Sequence, residues 1–535
     1  MPDTVDSPAD APSDLAFGAF SDDPPWVLDL AAVTWTPGLD AVRAACRGEV
    51  PVLTQRRRLP PGLRMARVTA RLATAVGGWA LLERRKGEHT SRAGISRRLR
   101  VAATDLGSTY IKLGQIISAG EGLFPEELVS EFKLCRDRVP AESFDTVRAV
   151  VEQDLHRPLE SVFETFDTVP LAAASIAQVH AATLHTGERV VVKVQRPQVA
   201  RLVRQDLAVM SWLAPLLVGR IPIAALANPP ALVELFAETI TEELDFRLEA
   251  QNMLDVARVL AELGQRGYVV PRPHPTLVTR RVLVMERLSG FAFDDVESMQ
   301  RAGIDTTAVI RTGMIAFMEG AMIYGVFHGD LHAGNLFVLP DGRTALLDFG
   351  IVGRLTEPRR LAFLRLMMGA TTNDVKGQLA ALRDLGALPP DTDLDAVIRD
   401  LRLDQPPVDP TTLSGEELVH EIQRTVKALL GYGASLPKEL MLYVKNMVFL
   451  DGAIARLAPD LDLLAEITTI SAYFATHHGD RLAADIGIHP MDVPIDLEGV
   501  KASFGVDSST EKLTYRDLQK RRELIGKRLR DRSSQ

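Results

Sequence analysis

The sequence predicts an α+β chain of two lobes, a small mixed one and then a larger helical one, behind a helical N-terminal extension. Three observations carry this. ERVVVKVQRP (Glu188–Pro197) is a β-branched run around one lysine and reads as a strand. ALVELFAETITEELDFRLEAQNMLDVARVL repeats apolar residues at helical spacing and reads as one long helix. After Gly290 the pattern is mainly helical, interrupted by VFHGDLHAGNLFVLPDGRTALLDFG (Val326–Gly350), whose second half reads as a hairpin turning at Asp-Gly.

With 535 residues, 46% of them hydrophobic, the chain can bury more than one core. Residues 1–50 are rich in Asp, Pro, Ser and Ala with little periodicity and read as an acidic flexible leader. Residues 51–140 are the helical extension. Between Arg56 and Arg100 the charge inverts, with thirteen Arg and Lys against two Glu. The stretch LRMARVTARLATAVGGWALLERRKG there is a basic amphipathic helix, either docked on the rest of the protein or lying on an anionic membrane surface or acidic partner. Residues 141–288 form the small lobe, where YVVPRPHP and RRVLVMERLSG add short strands. Residues 289–482 form the helical lobe, and residues 483–535 a basic tail ending in LTYRDLQKRRELIGKRLRDRSSQ, a basic helical pattern that is either solvated or faces a membrane or partner.

Bulk properties exclude several classes. A net charge of −9 argues against a general nucleic-acid binder, whose footprint is basic. The two cysteines, Cys46 and Cys135, lack metal-ligand spacing, which excludes a Cys-based zinc site and a disulfide framework and fits a reducing compartment. The start, MPDTVDSPADAPSDLA, has neither the basic nor the apolar region of a secretory signal. LAVMSWLAPLLVG (Leu207–Gly219) is shorter than the roughly 18–20 residues that cross a bilayer and reads as a buried helix. The expected location is the cytoplasm, with the basic helices as a means of peripheral attachment to the inner face of the membrane.

The chemistry concentrates between Val326 and Gly350. Phosphoryl transfer needs a triphosphate held, its charge neutralised by metal, and a nucleophile oriented in line. Asp330, in a loop between helical and strand patterns, has a carboxylate that can accept a hydroxyl proton. Asn335, five residues on, can give an amide oxygen to Mg²⁺. Asp348, eighteen residues after Asp330, opens Asp-Phe-Gly and can bridge Mg²⁺ to the β- and γ-phosphates, since hard oxygen ligands are what Mg²⁺ takes. Singly these residues read equally well as a turn former, a cap and a strand end; jointly spaced, they do not.

The upstream lobe supplies further parts. Lys193, in the strand VVVKV, matches the place of the kinase lysine that contacts the α- and β-phosphates. A lysine pointing inward from an apolar strand needs a carboxylate partner, and Glu249 on the following helix is the candidate. RRVLVMERLSG resembles a kinase hinge, with Met285 as gatekeeper and the backbone of Glu286 and Leu288 facing adenine. No G-x-G-x-x-G precedes the lysine strand. In its place stands PLAAASIAQVHAA (Pro170–Ala182); Ala suits helices and resists left-handed turns, so a helix start near Ser175 is expected to offer amide N–H groups to phosphate.

With these segments on the page, the sequence resembles the UbiB/AarF family of atypical protein-kinase-like proteins, associated with coenzyme Q and other isoprenoid quinone or lipid metabolism. YIKLGQ (Tyr110–Gln115) is similar to the family's KxGQ motif at Lys112, Gly114 and Gln115. AAAS (Ala172, Ala173, Ala174 and Ser175) is similar to its Ala-rich replacement for the Gly-rich loop. EELDFRLEAQN is similar to its ExD motif at Glu243 and Asp245, with Glu249 as the helix-C glutamate. HGDLHAGN and DFG complete the set, and the resemblance runs from about Leu99 to beyond Asp451.

The resemblance implies a bilobal protein-kinase-like fold, ATP and Mg²⁺ as cofactors, and an ATPase or small-molecule kinase rather than a protein kinase. It implies that the extension folds over the cleft and crowds out a polypeptide acceptor, with Lys112 pairing with Glu243 or Asp245. The partner it implies is a lipid or isoprenoid quinone precursor at a membrane surface. This chain departs from the family in three ways. Ala177 stands where relatives often have Gly, HGD lacks the Arg of a protein-kinase HRD, and no C-terminal transmembrane hairpin follows. Two other readings stay open, a small-molecule phosphotransferase of the aminoglycoside or choline kinase kind and a nucleotide-binding scaffold of a biosynthetic complex.

Overall fold

The computed structural model of the chain describes residues 19–55, 62–119, 125–134, 140–217, 229–372, 374–404, 428, 431–434, 437–487 and 495–532. The chain adopts the expected α+β class and divides into two compact units. The first gathers the described residues up to Gly290 with Asn335–Phe337 and Ala345–Val352. The second takes Phe291–Gly334, Val338–Thr344 and the described residues from Gly353 onward.

In the first unit the N-terminal part differs from the flexible leader expected over residues 1–50. Ala19, Phe20, Leu28 and Trp35 are buried. Val270 N–H donates to Ala19 O at 2.9 Å, Thr34 N–H to Pro275 O at 3.0 Å, and Trp35 Nε1 to His274 O at 3.1 Å. The guanidinium of Arg272 lies 4.8 Å from the centre of the Phe20 ring and donates to Ser21 O. Helix α1 (Leu39–Thr54) follows. The average composition of this stretch hid a few aromatic and aliphatic anchors, and those anchors decide burial. Residues 1–18 of the expected leader lie outside the described residues.

The extension consists mainly of α2 (Gly62–Leu82), α3 (Glu88–Leu106) and α4 (Ser108–Ala119). Glu83 ties the first two by pairing with Arg97 and Arg98 at 3.1 and 2.9 Å. Arg64 of α2 pairs with the buried Asp206 at 2.7 Å and donates to Leu106 O at 2.7 Å, which sets the start of α4. Asp206 lies on α6, after α5 (Phe144–Leu155); α6 spans Val199–Leu217 and contains most of the apolar stretch read as a buried helix. Among the described residues no helix is long and apolar enough to cross a membrane.

A sheet forms the centre of this unit. Its strands are β1 (Phe163–Phe166), β2 (Ala172–Ala173), β3 (Ala177–Leu184), β4 (Arg189–Gln195), β5 (Pro273–Val278) and β6 (Val282–Glu286). The order is β1-β3-β4-β6-β5, all antiparallel, with β2 also on β3. The two-residue period sends Val190, Val192 and Val194 to one face, against Val147, Val150 and Val151 of α5. Lys193 therefore points to the other face.

The stretch read as one long helix is two, α7 (Pro229–Glu243) and α8 (Phe246–Glu262). Asp245 between them takes φ −135° and accepts from Arg247 N–H, an N-cap. Apolar periodicity runs through such a break without registering it, because an Asp that competes for backbone N–H groups leaves the spacing of its apolar neighbours unchanged.

The second unit is mainly helical. Phe317 of α9 (Thr306–Glu319), Phe327, Phe363 of α10 (Glu357–Thr371) and Tyr443 of α11 (Lys438–Leu457) form an aromatic cluster with ring centres 4.6–5.9 Å apart. From α9 the chain passes through one π-helical turn, Gly320–Tyr324, into strand β7 (Val326–His328). A Cβ at Gly320 would lie 2.6 Å from Val326 O, so only glycine lets the chain double back this closely. Buried Arg360 ties α10 to this turn through Met322 O at 2.9 Å and to α12 (Leu463–Ile486) through Asp485 at 2.8 Å. The end of the chain, LTYRDLQKRRELIGKRLRDRSSQ, expected to be solvated or to face a membrane or partner, is docked at its start. Leu513 and Leu518 bury against Leu464, and Tyr515, opening α13 (Tyr515–Arg532), donates to Asp451 at 2.7 Å.

Candidate active site

In the first unit, Lys193 Nζ stands 2.7 Å from Glu249 Oε1 and 3.0 Å from Asp348 Oδ2. The sheet face aims the lysine, and the Asp245 cap sets where α8 starts, which places Glu249 in its first turn. The Phe246 ring centre lies 5.5 Å from the ammonium. Burial opposes the charge of Lys193, but Asp348 and Glu249 outweigh it and hold the ammonium above the ordinary lysine range. Burial likewise pushes Glu249 up to about 7, against the pull of Lys193. Asp348 goes the other way. Burial opposes its ionisation too, yet the Lys193 and Lys112 cations hold its carboxyl well below the usual range. Of the two acids around one ammonium, Asp348 is thus the firmly anionic one. Its side chain is 42% exposed, so it can reach a solvated ligand.

Three contacts fix the Asp-Phe-Gly turn. Asn252 Nδ2 donates to Phe349 O at 2.8 Å, Phe349 is fully buried, and Gly350 N–H donates to Asp348 Oδ1 at 2.9 Å. A Cβ at 350 would meet Asp348 Oδ1 at 3.2 Å and Glu243 Cγ at 3.3 Å, so a larger residue there would push on both acidic side chains. Leu347 N–H donates to Asn335 O at 2.9 Å, so strand pairing brings Asn335 beside the residue that precedes Asp348. A carboxylate and an amide oxygen are a donor set that suits Mg²⁺, which keeps further positions for phosphate and water.

Lys112, on α4, pairs with Glu243 at 3.0 Å. Asp245, the other acid of that motif, caps α8 and pairs with Arg247 at 2.7 Å. Gln115 is half-buried on α4, one turn beyond Lys112.

No helix starts at Ser175. Ala172 pairs with Val179 and Ala173 with Gln178, and Ala174 N–H donates to Ala177 O at 2.9 Å, closing a hairpin with Ser175 buried in its turn. The expectation failed because Ala177–Leu184 is drawn into the sheet by its seven-residue register with β4, and tertiary pairing overrides the helical leaning of alanine. Arg196 holds this turn. Its guanidinium, 7% exposed, donates to Ala174 O at 3.0 Å, Pro140 O at 2.9 Å and Glu142 at 2.9 Å. The only sequence signal for Arg196 was a charge at the end of an apolar strand.

At the end of β6, Glu286 N–H donates to Arg272 O at 2.9 Å, and its buried carboxylate accepts from Ser21 Oγ and Arg272 N–H. Leu288, two residues on, is half-buried.

In the second unit, Asp330 N–H donates to His328 Nδ1 at 3.1 Å, and Asp330 Oδ1 contacts Lys445 Nζ. Asn446, fully buried, donates to His328 O and accepts from Leu331 N–H at 2.9 Å. Sequence reasoning missed both residues of α11, since nothing in LYVKNMVFL marks it as a neighbour of a loop more than a hundred residues earlier.

Comparison with known proteins adds a second line of observation. A family model described as ABC1 atypical kinase-like domain matches residues 134–382. An uncharacterized protein of Mycobacterium tuberculosis is 36% identical over 391 residues, covering 71% of this chain and 78% of that protein. An uncharacterized chloroplastic aarF domain-containing protein kinase of Arabidopsis thaliana is 33% identical over 386 residues, covering 68% and 72%. A probable protein kinase UbiB of Marinobacter nauticus is 32% identical over 371 residues, covering 68% and 67%. Lys193, Glu249, Asp330, Asn335 and Asp348 fall inside the family model's range; Lys112, Gln115 and Lys445 fall outside it.

Proposed function

The chain belongs to the UbiB/AarF family of ABC1 atypical kinase-like proteins, and on that premise we propose that it is an ATP-dependent atypical kinase or ATPase using Mg²⁺ in isoprenoid quinone or other lipid metabolism at a membrane surface. The observation that carries the nucleotide half is Lys193 bridging Glu249 and Asp348 at 2.7 and 3.0 Å. In this reading Lys193 contacts the α- and β-phosphates, Asp348 and Asn335 hold the metal, and bound Mg²⁺ supplies charge neutralisation at the phosphates. The turn Ala172–Ser175 lies against the nucleotide, and the backbone of Glu286 and Leu288 faces adenine. Asp330 accepts the proton of the acceptor. Lys112, Gln115, Glu243 and Asp245 set how nucleotide and metal sit.

The membrane half draws on α2, where Leu63 and Leu81 are 94% and 87% exposed and Leu82 is also exposed. Arg67, Arg71, Arg84 and Arg85 are exposed beside them. Apolar side chains held in water among cations suit an anionic bilayer surface better than bulk solvent.

The deciding experiment is ATP turnover by the purified protein with Mg²⁺, with and without anionic liposomes, alongside Asp348→Asn. Liposome-stimulated hydrolysis that is lost in the variant is the expected result. Wild-type turnover unaffected by Asp348→Asn would sink the assignment, and a phosphorylated metabolite formed stoichiometrically with ADP would replace it with a small-molecule phosphotransferase.

A further inference from the structure

The loop that carries Asp330, HGDLHAGN (His328–Asn335), holds neither Lys nor Arg. The cation arrives from α11, 115 residues later, as Lys445 Nζ at Asp330 Oδ1. Asn446 makes that arrival repeatable. By donating to His328 O and accepting from Leu331 N–H, it clamps the loop on both sides of Asp330 while remaining inside the same helix turn as Lys445. The side chains of Lys445 and Asp330 are 18% and 19% exposed, sheltered enough for charge to act and open enough for a ligand to arrive.

The geometry points to Lys445 as a positioning residue for chemistry at Asp330, a cation delivered by a distant helix that keeps the carboxylate turned toward the acceptor. This rests on the phosphoryl-transfer reading above. In that step an acceptor O–H gives its proton to the Asp330 carboxylate as the acceptor oxygen bonds to the γ-phosphorus. The bond from phosphorus to the bridging oxygen breaks, and ADP leaves with the electron pair. Lys445 fixes the orientation of the carboxylate throughout. A pair that served packing alone would not need the ammonium to sit on the one carboxylate of the loop, since Asn446 already joins helix and loop.

The test compares wild type with Lys445→Ala and Lys445→Arg in Mg-ATP turnover and in equilibrium nucleotide binding, with added methylammonium as a free cation. The expected result is a fall in kcat of about 10²-fold in Lys445→Ala with nucleotide affinity unchanged, a smaller fall in Lys445→Arg, and recovery of the alanine variant by methylammonium. A kcat that falls without recovery by either route overturns the inference in favour of packing, and this readout holds even where the alanine variant is less stable. Wild-type kcat in Lys445→Ala overturns the inference alone. Nucleotide binding without turnover in the wild type itself overturns the phosphoryl-transfer reading, and this one with it.

Discussion

Asp348 and Asp330 are both carboxylates held by lysine, and the protein treats them differently. Asp348 is flanked by the charges of Lys193 and Lys112, on a turn pinned by Asn252 and by the burial of Phe349. Asp330 has Lys445 and a clamp from Asn446 on a loop without a cation of its own. On the proposed function, the first arrangement suits an anion that would hold Mg²⁺ and the second a carboxylate turned toward an acceptor.

The contrast can be broken most severely at Asp348. Asp348→Asn and Lys193→Met are each expected to lower Mg-ATP turnover by about 10³-fold, read by steady-state hydrolysis with circular dichroism to establish that the variants are folded. Glu249→Gln should cost less, about 10²-fold through a misplaced lysine. Because burial pushes Glu249 up to about 7, the glutamine variant should resemble wild type more closely at pH 6 than at pH 8; an identical deficit at both would show that Glu249 acts through shape and not charge. Lys112→Ala should leave the fold intact and shift the ratio of ATP to ADP affinity by about tenfold, close to 1.4 kcal/mol. An unchanged ratio from calorimetric binding would remove Lys112 from the nucleotide's surroundings.

Two smaller effects sharpen the picture of the scaffold. Arg196→Leu would leave Ala174 O, Pro140 O and Glu142 without their donor and should destabilise the protein by about 1–3 kcal/mol, read by denaturant titration. At His274, burial lowers the pKa to about 4 from an ordinary 6.5. Its folded value lies below its unfolded one, so the stability it contributes is complete above about pH 6.5 and declines as pH falls toward 4. His274 Nδ1 accepts from Thr276 and Leu277 N–H, and its carbonyl takes the Trp35 indole. Protonation should therefore loosen residues 19–35 first, visible as faster hydrogen exchange there. His274→Asn, which keeps a side-chain acceptor, should flatten that pH dependence.

Particular residues show what was readable in advance. Lys193 and its partnership with Glu249 could be inferred because a β-branched strand leaves an inward lysine needing a carboxylate, and the helical pattern that follows carries one at Glu249. HGDLHAGN and the Asp-Phe-Gly turn could be found because their spacing is contiguous in the chain. The helix break at Asp245 escaped, since a cap does not disturb apolar period. The turn at Ala172–Ala177 was misread as a helix start because alanine's local leaning lost to strand pairing, and the anchors Phe20, Leu28 and Trp35 were submerged in an acidic average.

By itself the sequence determined the α+β class, the order of the motifs and the local elements that present Lys193, Asp330 and Asp348, because each depends on periodicities or spacings a few residues long. The tertiary structure alone decided that Lys112 pairs with Glu243 while Asp245 turns to capping, that Arg196 holds the alanine turn, and that Lys445 reaches Asp330. Each of those contacts joins residues through packing between separate elements, and short-range patterning carries no information about which distant side chain will fill a given charge's vacancy.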